Sequence, residues 1–161
     1  MSILTDLARR IGQLERWVAE HRAYEPTAST CQVYISQAQE IPTGVPTVVT
    51  FDAEEYDPDD LHSVLANTGR ITVKVAGVYT VSAWVVWDVH DTGTRRCRIT
   101  VNGTDVAGQT VNMDGATIDV DACCSREVLL AVGDIVRLAA YQTSGGDLNL
   151  TTATFGVTRE S

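Results

Sequence analysis

After Pro26 the chain never shows a helical period again, and this absence constrains its fold more than any other feature. The runs at 47–51, 70–75, 77–87, 95–102, 104–113, 127–132, 134–142 and 148–158 are each rich in Val, Ile, Thr and aromatic residues, and each is bounded by Gly, Asn or Asp. Residues 25–46 hold three prolines and one short alternation, which predicts a linker leading into a first strand near Cys31 to Ser36. Asn102-Gly103 between two alternating runs predicts a hairpin, because a type I′ turn needs two positive φ angles. Gly145-Gly146 predicts a second hairpin. The sum is an all-β sandwich or jelly roll.

Ahead of this lies the one helical pattern. Leu4, Leu7, Ile11, Leu14, Val18 and His21 step alternately by three and four, with Leu4, Ile11 and Val18 at heptad a and Leu7, Leu14 and His21 at d. Arg10 at g and Glu15 at the next e form the pair expected between parallel neighbouring helices, and Trp17 and Arg22 repeat it. Asp6 suits the positive end of the helix, and Pro26 stops it. The other role for such a helix is to lie amphipathically on its own domain or on a larger partner. The division expected is a helix over 1–25, linker and first strand over 26–46, and the rest of the head over 47–161.

A formal charge of −9 argues against nucleic acid, since Lys and Arg are scattered rather than striped. The first twenty residues interrupt every apolar pair with charge, so neither a secretory leader nor membrane insertion is expected. The product is expected to be soluble and made in the cytoplasm. Cys31, Cys97, Cys123 and Cys124 include no C-x-x-C pair, which suits neither zinc nor a disulfide framework. They are expected to be reduced and mostly buried, with a disulfide from Cys31 as the alternative.

The densest chemistry is FDAEEYDPDDLHS at 51–63. An EF-hand needs glycine at the sixth position and glutamate at the twelfth; counting from Asp52 gives Asp57 and Ser63, so the match fails. Asp57-Pro58-Asp59-Asp60 reads as a turn, and Asp52, Glu54 and Glu55 as the solvated lip of a strand. No cofactor is expected; the alternative is calcium at Asp57, Asp59 and Asp60, or near Asp88, His90 and Asp91. His62 and His90 have no Ser or Cys placed as a nucleophile, so no catalytic residue is assigned. Arg96 and Arg98 share one strand face opposite Cys97, Ile99 and Val101, either pairing with the acidic loop of another subunit or solvated.

Phe51, the acidic segment, Arg70 to Val73 and Ala76-Gly77-Val78-Tyr79-Thr80-Val81-Ser82-Ala83 resemble the central signature of the globular head of complement C1q, the jelly roll shared with tumour necrosis factor (TNF). Leu129 to Leu138, Tyr141-Gln142, Gly145-Gly146 and Thr154 to Val157 resemble that family's last strands, so the likeness covers about residues 30–158. Gly93 to Gly103 is most similar to the microbial and bacteriophage variant. The collagen-like stalk of animal members is missing, and the heptad helix stands in its place.

The resemblance implies a C1q/TNF-like jelly-roll head that assembles as a homotrimer, preceded by a short parallel trimeric coiled coil. Ile and Val at a with Leu at d favour pairs in isolated coils, and the heads are expected to impose three instead. Tyr79, Tyr141 and Phe155 would sit in the head core or along the trimer axis. The function implied is a non-enzymatic virion structural protein of a bacteriophage, a capsid decoration or head fibre. Its helix would contact capsid or tail proteins, and loops Asp88 to Thr94 and Met113 to Ala122 would meet a host-surface glycan or protein. The alternatives are a receptor-binding tail protein, a carbohydrate-binding module or enzyme on this fold, and a scaffold-bound helix with a monomeric head.

Overall fold

The computed structural model describes residues 7, 10–16, 29–115 and 118–160. Residues 10–16 are helical. Leu4, Val18 and His21 of the heptad seam lie outside the described residues. The head begins with β1 (Thr30–Tyr34), β2 (Gln39–Ile41), β3 (Thr47–Val48), β4 (Ala53–Tyr56) and β5 (Ile71–Thr72). It continues with β6 (Gly77–Trp87), β7 (Thr94–Val101), β8 (Thr104–Asn112), β9 (Val120–Leu130), β10 (Ile135–Gln142) and β11 (Leu148–Arg159).

One sheet runs β4-β1-β11-β6-β9, with β2 also on β11; the other runs β3-β10-β7-β8, with β5 also on β10. Each inner face is apolar because the strands alternate. On β6, Tyr79, Val81, Ala83, Val85 and Trp87 are buried. On the opposing sheet Cys97, Ile99, Val136, Leu138 and Ala140 close over them. Phe51 and Phe155 stack between the layers with centroids 5.7 Å apart.

Asn102 and Gly103 take φ of 50° and 84°, the two left-handed angles of the expected β7–β8 hairpin. Gly145-Gly146 is not a hairpin: β10 pairs with β7 and β11 with β6, so this link crosses between sheets. β9 starts at Val120, earlier than its composition indicates, because its register on β6 runs unbroken from Val120 opposite Trp87 to Leu130 opposite Gly77. The acidic stretch is itself partly strand, with β4 on the edge beside β1.

β1 and β11 are antiparallel neighbours, Thr30 opposite Thr158, and Arg159 donates its backbone N–H to the Ser29 carbonyl at 2.8 Å. Both ends of the head therefore meet at one pole. Trp87 pairs with Leu150 far from that pole, so the turn after β6 lies at the other.

Candidate self-association face and ligand loops

The outward face of the first sheet follows from its register. One row across it reads Tyr56, Gln32, Gly156, Ser82, Ser125; the next reads Ala53, Tyr34, Thr154, Trp84, Cys123. A third reads Thr30, Thr158, Thr80 and then Glu127, on the edge strand β9. On a chain of net charge −9, the middle of this face carries none. Gly156 has no side chain, and the gap it leaves between Gln32, Ser82, Trp84 and Thr154 is a groove of about 150 Å³. Trp84 is 41% exposed above it, with Nε1 3.4 Å from Asp121 Oδ2. Tyr56 donates its hydroxyl to Gln32 Oε1 at 2.9 Å.

The other sheet's outward face is charged. Arg96 lies over Tyr141 with its guanidinium carbon 5.3 Å from the ring centroid, and Arg98 pairs with Asp105. In the pairing of β7, β8 and β10, Arg96 falls between Tyr141 and Thr110, and Arg98 between Ala139 and Gly108. Desolvating charge is costly, so the uncharged sheet is the one covered at least expense. In the described part of the helix, Leu7, Ile11 and Leu14 are 53%, 47% and 61% exposed, an apolar row the single chain leaves wet.

Of the three aromatic positions, two lie in the core. Tyr79 and Phe155 are core residues, and Tyr79 donates its hydroxyl to the Val75 carbonyl at 2.7 Å. Tyr141 is in neither the core nor the uncharged face, because the alternation of β10 points it outward beneath Arg96.

The acidic segment is held from within. Asp57 accepts the backbone N–H of Leu61 at 2.9 Å and of His62 at 2.8 Å, one on each carboxylate oxygen. This closes the turn predicted at 57–60, in which Asp60 takes a φ of 53°. His62 is buried, with Nδ1 2.9 Å from Glu54 Oε1 and Nε2 3.0 Å from the Thr68 carbonyl. Asp59 meets Lys74 through its backbone carbonyl. Burial, reinforced by the charges of Asp57 and Glu54, pushes the neighbouring Cys31 thiol up, so that sulfur stays protonated.

At the pole opposite the chain ends, Asp88, His90 and Asp91 lie on the turn after β6. The Gly115 N–H reaches the Asp91 carbonyl at 3.0 Å, the Met113 N–H reaches Gly93 at 2.8 Å, and the Thr143 N–H reaches Thr94 at 3.1 Å. The structure thus gathers the turn at 88–94, the segment at 113–115 and the link at 143–146 into one end. Val120 and Ala122 do not belong to this loop surface, since both are buried in β9. Beneath it sits Arg95, 1% exposed, donating to the carbonyls of Thr92, Thr94 and His90 at 3.1, 3.3 and 3.2 Å. Burial lowers the pKa of its guanidinium. The alternation that put Arg96 and Arg98 outside also put Arg95 inside, and this was the signal for a buried arginine that supports the loop.

No protein-family model matches the sequence, and no curated protein matches it. Solved structures do. The globular domain of zebrafish complement 1qA protein superposes with a TM-score of 0.58 at 18% identity, covering 80% of this chain and 94% of that one. Murine APRIL gives 0.64 at 14% identity over 83% and 100%. Eiger TNF from S. frugiperda gives 0.54 at 17% identity over 83% and 93%. The head therefore has the C1q/TNF-like jelly-roll fold.

Proposed function

We propose that the chain is a non-enzymatic protein that self-associates in threes through the uncharged face of its first sheet, as a structural component of a bacteriophage virion. Heads of this fold associate as homotrimers. The observation that carries the proposal is the contrast between the two outward faces: Ser82, Trp84, Thr154 and Gln32 on one, Arg96 and Arg98 on the other. The exposed Leu7, Ile11 and Leu14 give the helix a matching reason to bundle once three heads hold it in place. Native mass measurement of the purified chain tests this: a species of three times 17.4 kDa is expected, and a monomer at micromolar concentration overturns it.

The virion assignment draws on the bacteriophage-like stretch from Gly93 to Gly103. With the head's chain ends at one pole and the loops at 88–94 and 113–115 at the other, a capsid decoration or head fibre fits best. Immunogold labelling of phage particles with an antibody to the head is expected to mark the capsid, and unlabelled particles remove the assignment. No cofactor is required.

A glycan-binding role, as a tail protein or carbohydrate-binding module, is the second reading. A groove of about 420 Å³ along the other sheet favours it, with Arg96, Arg98 and Thr100 as donors and Tyr141, beneath Arg96, in its wall. Binding on a glycan array that disappears with Tyr141→Ala would support this role, and an array without signal would remove it.

A further inference from the structure

Among the described residues, one pair of nucleophilic side chains bridges the two sheets. Cys97 points inward from β7 and Cys124 inward from β9, and their sulfurs are 3.8 Å apart. Their neighbours hold that approach. Cys97 is fully buried between Gln109 of β8 and Ala140 of β10, and Cys124 is half-buried opposite Ala83 of β6. Two bonds strap the edge strands together beside the pair: Cys123 N–H to Gln109 Oε1 at 2.5 Å, and Arg126 Nη1–H to the Val106 carbonyl at 2.9 Å.

We propose that Cys97 and Cys124 are an oxidative modification site, which a hydroperoxide converts to a disulfide joining the two sheets of the head. The sulfurs need to close by about 1.8 Å to reach bonding distance. Chemistry favours the same pair. The hydrogen bond from Cys124 outweighs burial and draws the Cys97 thiol down to about 7, because one thiol stabilises the thiolate of the other. The remaining cysteines lack this arrangement. Cys31 is buried with its thiol raised, and Cys123 points out of the opposite face of β9.

Cys124 keeps its proton, because its bond to Cys97 and its burial push that thiol up, so Cys97 carries the negative charge. The Cys97 thiolate attacks one peroxide oxygen; the O–O bond breaks, the departing hydroxide takes the Cys124 proton to become water, and Cys97 becomes a sulfenic acid. The Cys124 thiolate so formed then attacks Cys97 Sγ, forming the S–S bond and expelling hydroxide, which a solvent proton turns into a second water. Two thiols lose two electrons and two protons, and one hydroperoxide is reduced. The cross-linked residues are 27 positions apart, a loop long enough for its closure to restrict the unfolded chain measurably. This site does not depend on the number of subunits.

The test is one equivalent of hydrogen peroxide added to the full chain after removal of reductant. The intact mass should fall by about 2 Da as two hydrogens are lost. A non-reduced peptide map should join the Cys97 and Cys124 peptides, and the melting temperature should rise by roughly 5 to 10 °C. In Cys97→Ser, no cross-link should form. In Cys124→Ser, changed at the less buried position, Cys97 should stop at a sulfenic acid, a mass gain of about 16 Da, and neither the cross-link nor the shift in melting should appear. Retention of all four thiols, or a cross-link through Cys31 or Cys123, would overturn the proposal.

Discussion

His62 places Nδ1 2.9 Å from Glu54 Oε1 while its other ring nitrogen faces the Thr68 carbonyl. Since a carboxylate and a carbonyl both accept, the bonds are complete only when a proton sits in each contact. Asp57 fixes the backbone that delivers the ring, and Phe51 closes it edge-on with centroids 6.4 Å apart. The acidic segment is thereby a clasp on the sandwich.

Breaking that clasp should lower stability. His62→Ala leaves a cavity and orphans Glu54, and is expected to cost about 2–4 kcal/mol. Asp57→Asn loses one of two backbone acceptor contacts, for about 1 kcal/mol. Asp59→Asn, altered where only the backbone carbonyl is used, should be neutral within about 0.5 kcal/mol. Urea denaturation of the three variants checks the ranking.

Charge placed on the uncharged face should dissolve the assembly without unfolding the head. Ser82→Arg and Trp84→Glu would each bury an unpaired charge in the contact, a penalty of about 3 kcal/mol or more. Sedimentation velocity should report single chains that keep their strand signal in circular dichroism. Ala139→Glu, on the face that already carries Arg98, should leave the mass unchanged.

Gly93 and Gly103 both take left-handed φ, 81° and 84°, yet they should respond differently to alanine. A Cβ at Gly103 meets nothing within 4 Å, so Gly103→Ala carries conformational strain alone, about 1 kcal/mol. At Gly93 the same atom would lie 2.0 Å from the Thr143 carbonyl oxygen, and the turn at 88–94 would have to leave the link at 143–146. Thermal melts should show Gly93→Ala as the more destabilised by about 2 kcal/mol or more.

Asp134 gives the head an acid-sensitive contact. The Ala131 backbone N–H and then the Asn102 side chain hold its carboxyl below the usual range. A carboxyl whose pKa is lower folded than unfolded stabilises above the unfolded value, about 3.9, and loses that contribution as pH falls through the folded one. Asp134→Ala should therefore lower the melting temperature at pH 6, and its gap from the parent chain should narrow as pH falls below about 4.

The same residues show what the sequence made legible. β6 and the Asn102-Gly103 turn could be read because their signals are local: a run of β-branched and aromatic residues, and two residues suited to positive φ. β9 was half hidden because Asp121, Cys123 and Ser125 face outward and lack β-branched character, and pairing with β6 overrides that propensity. The acidic β4 is strand for the same reason, held by β1. Gly145-Gly146 signals a turn truthfully, but which sheet each flanking strand joins depends on partners far along the chain. The approach of Cys97 to Cys124 and the uncharged face are likewise products of register across strands distant in sequence.

The hydrogen bond from Arg159 to Ser29 makes the head almost a closed loop of chain with a single nick. A few glycines spliced from residue 160 to residue 29 would seal that nick, and the polypeptide could be opened instead at the exposed Asn102-Gly103 turn. Such a circularly permuted head would keep the strand order of both sheets and present its new termini at a different site, offering an engineer another point for tethering cargo.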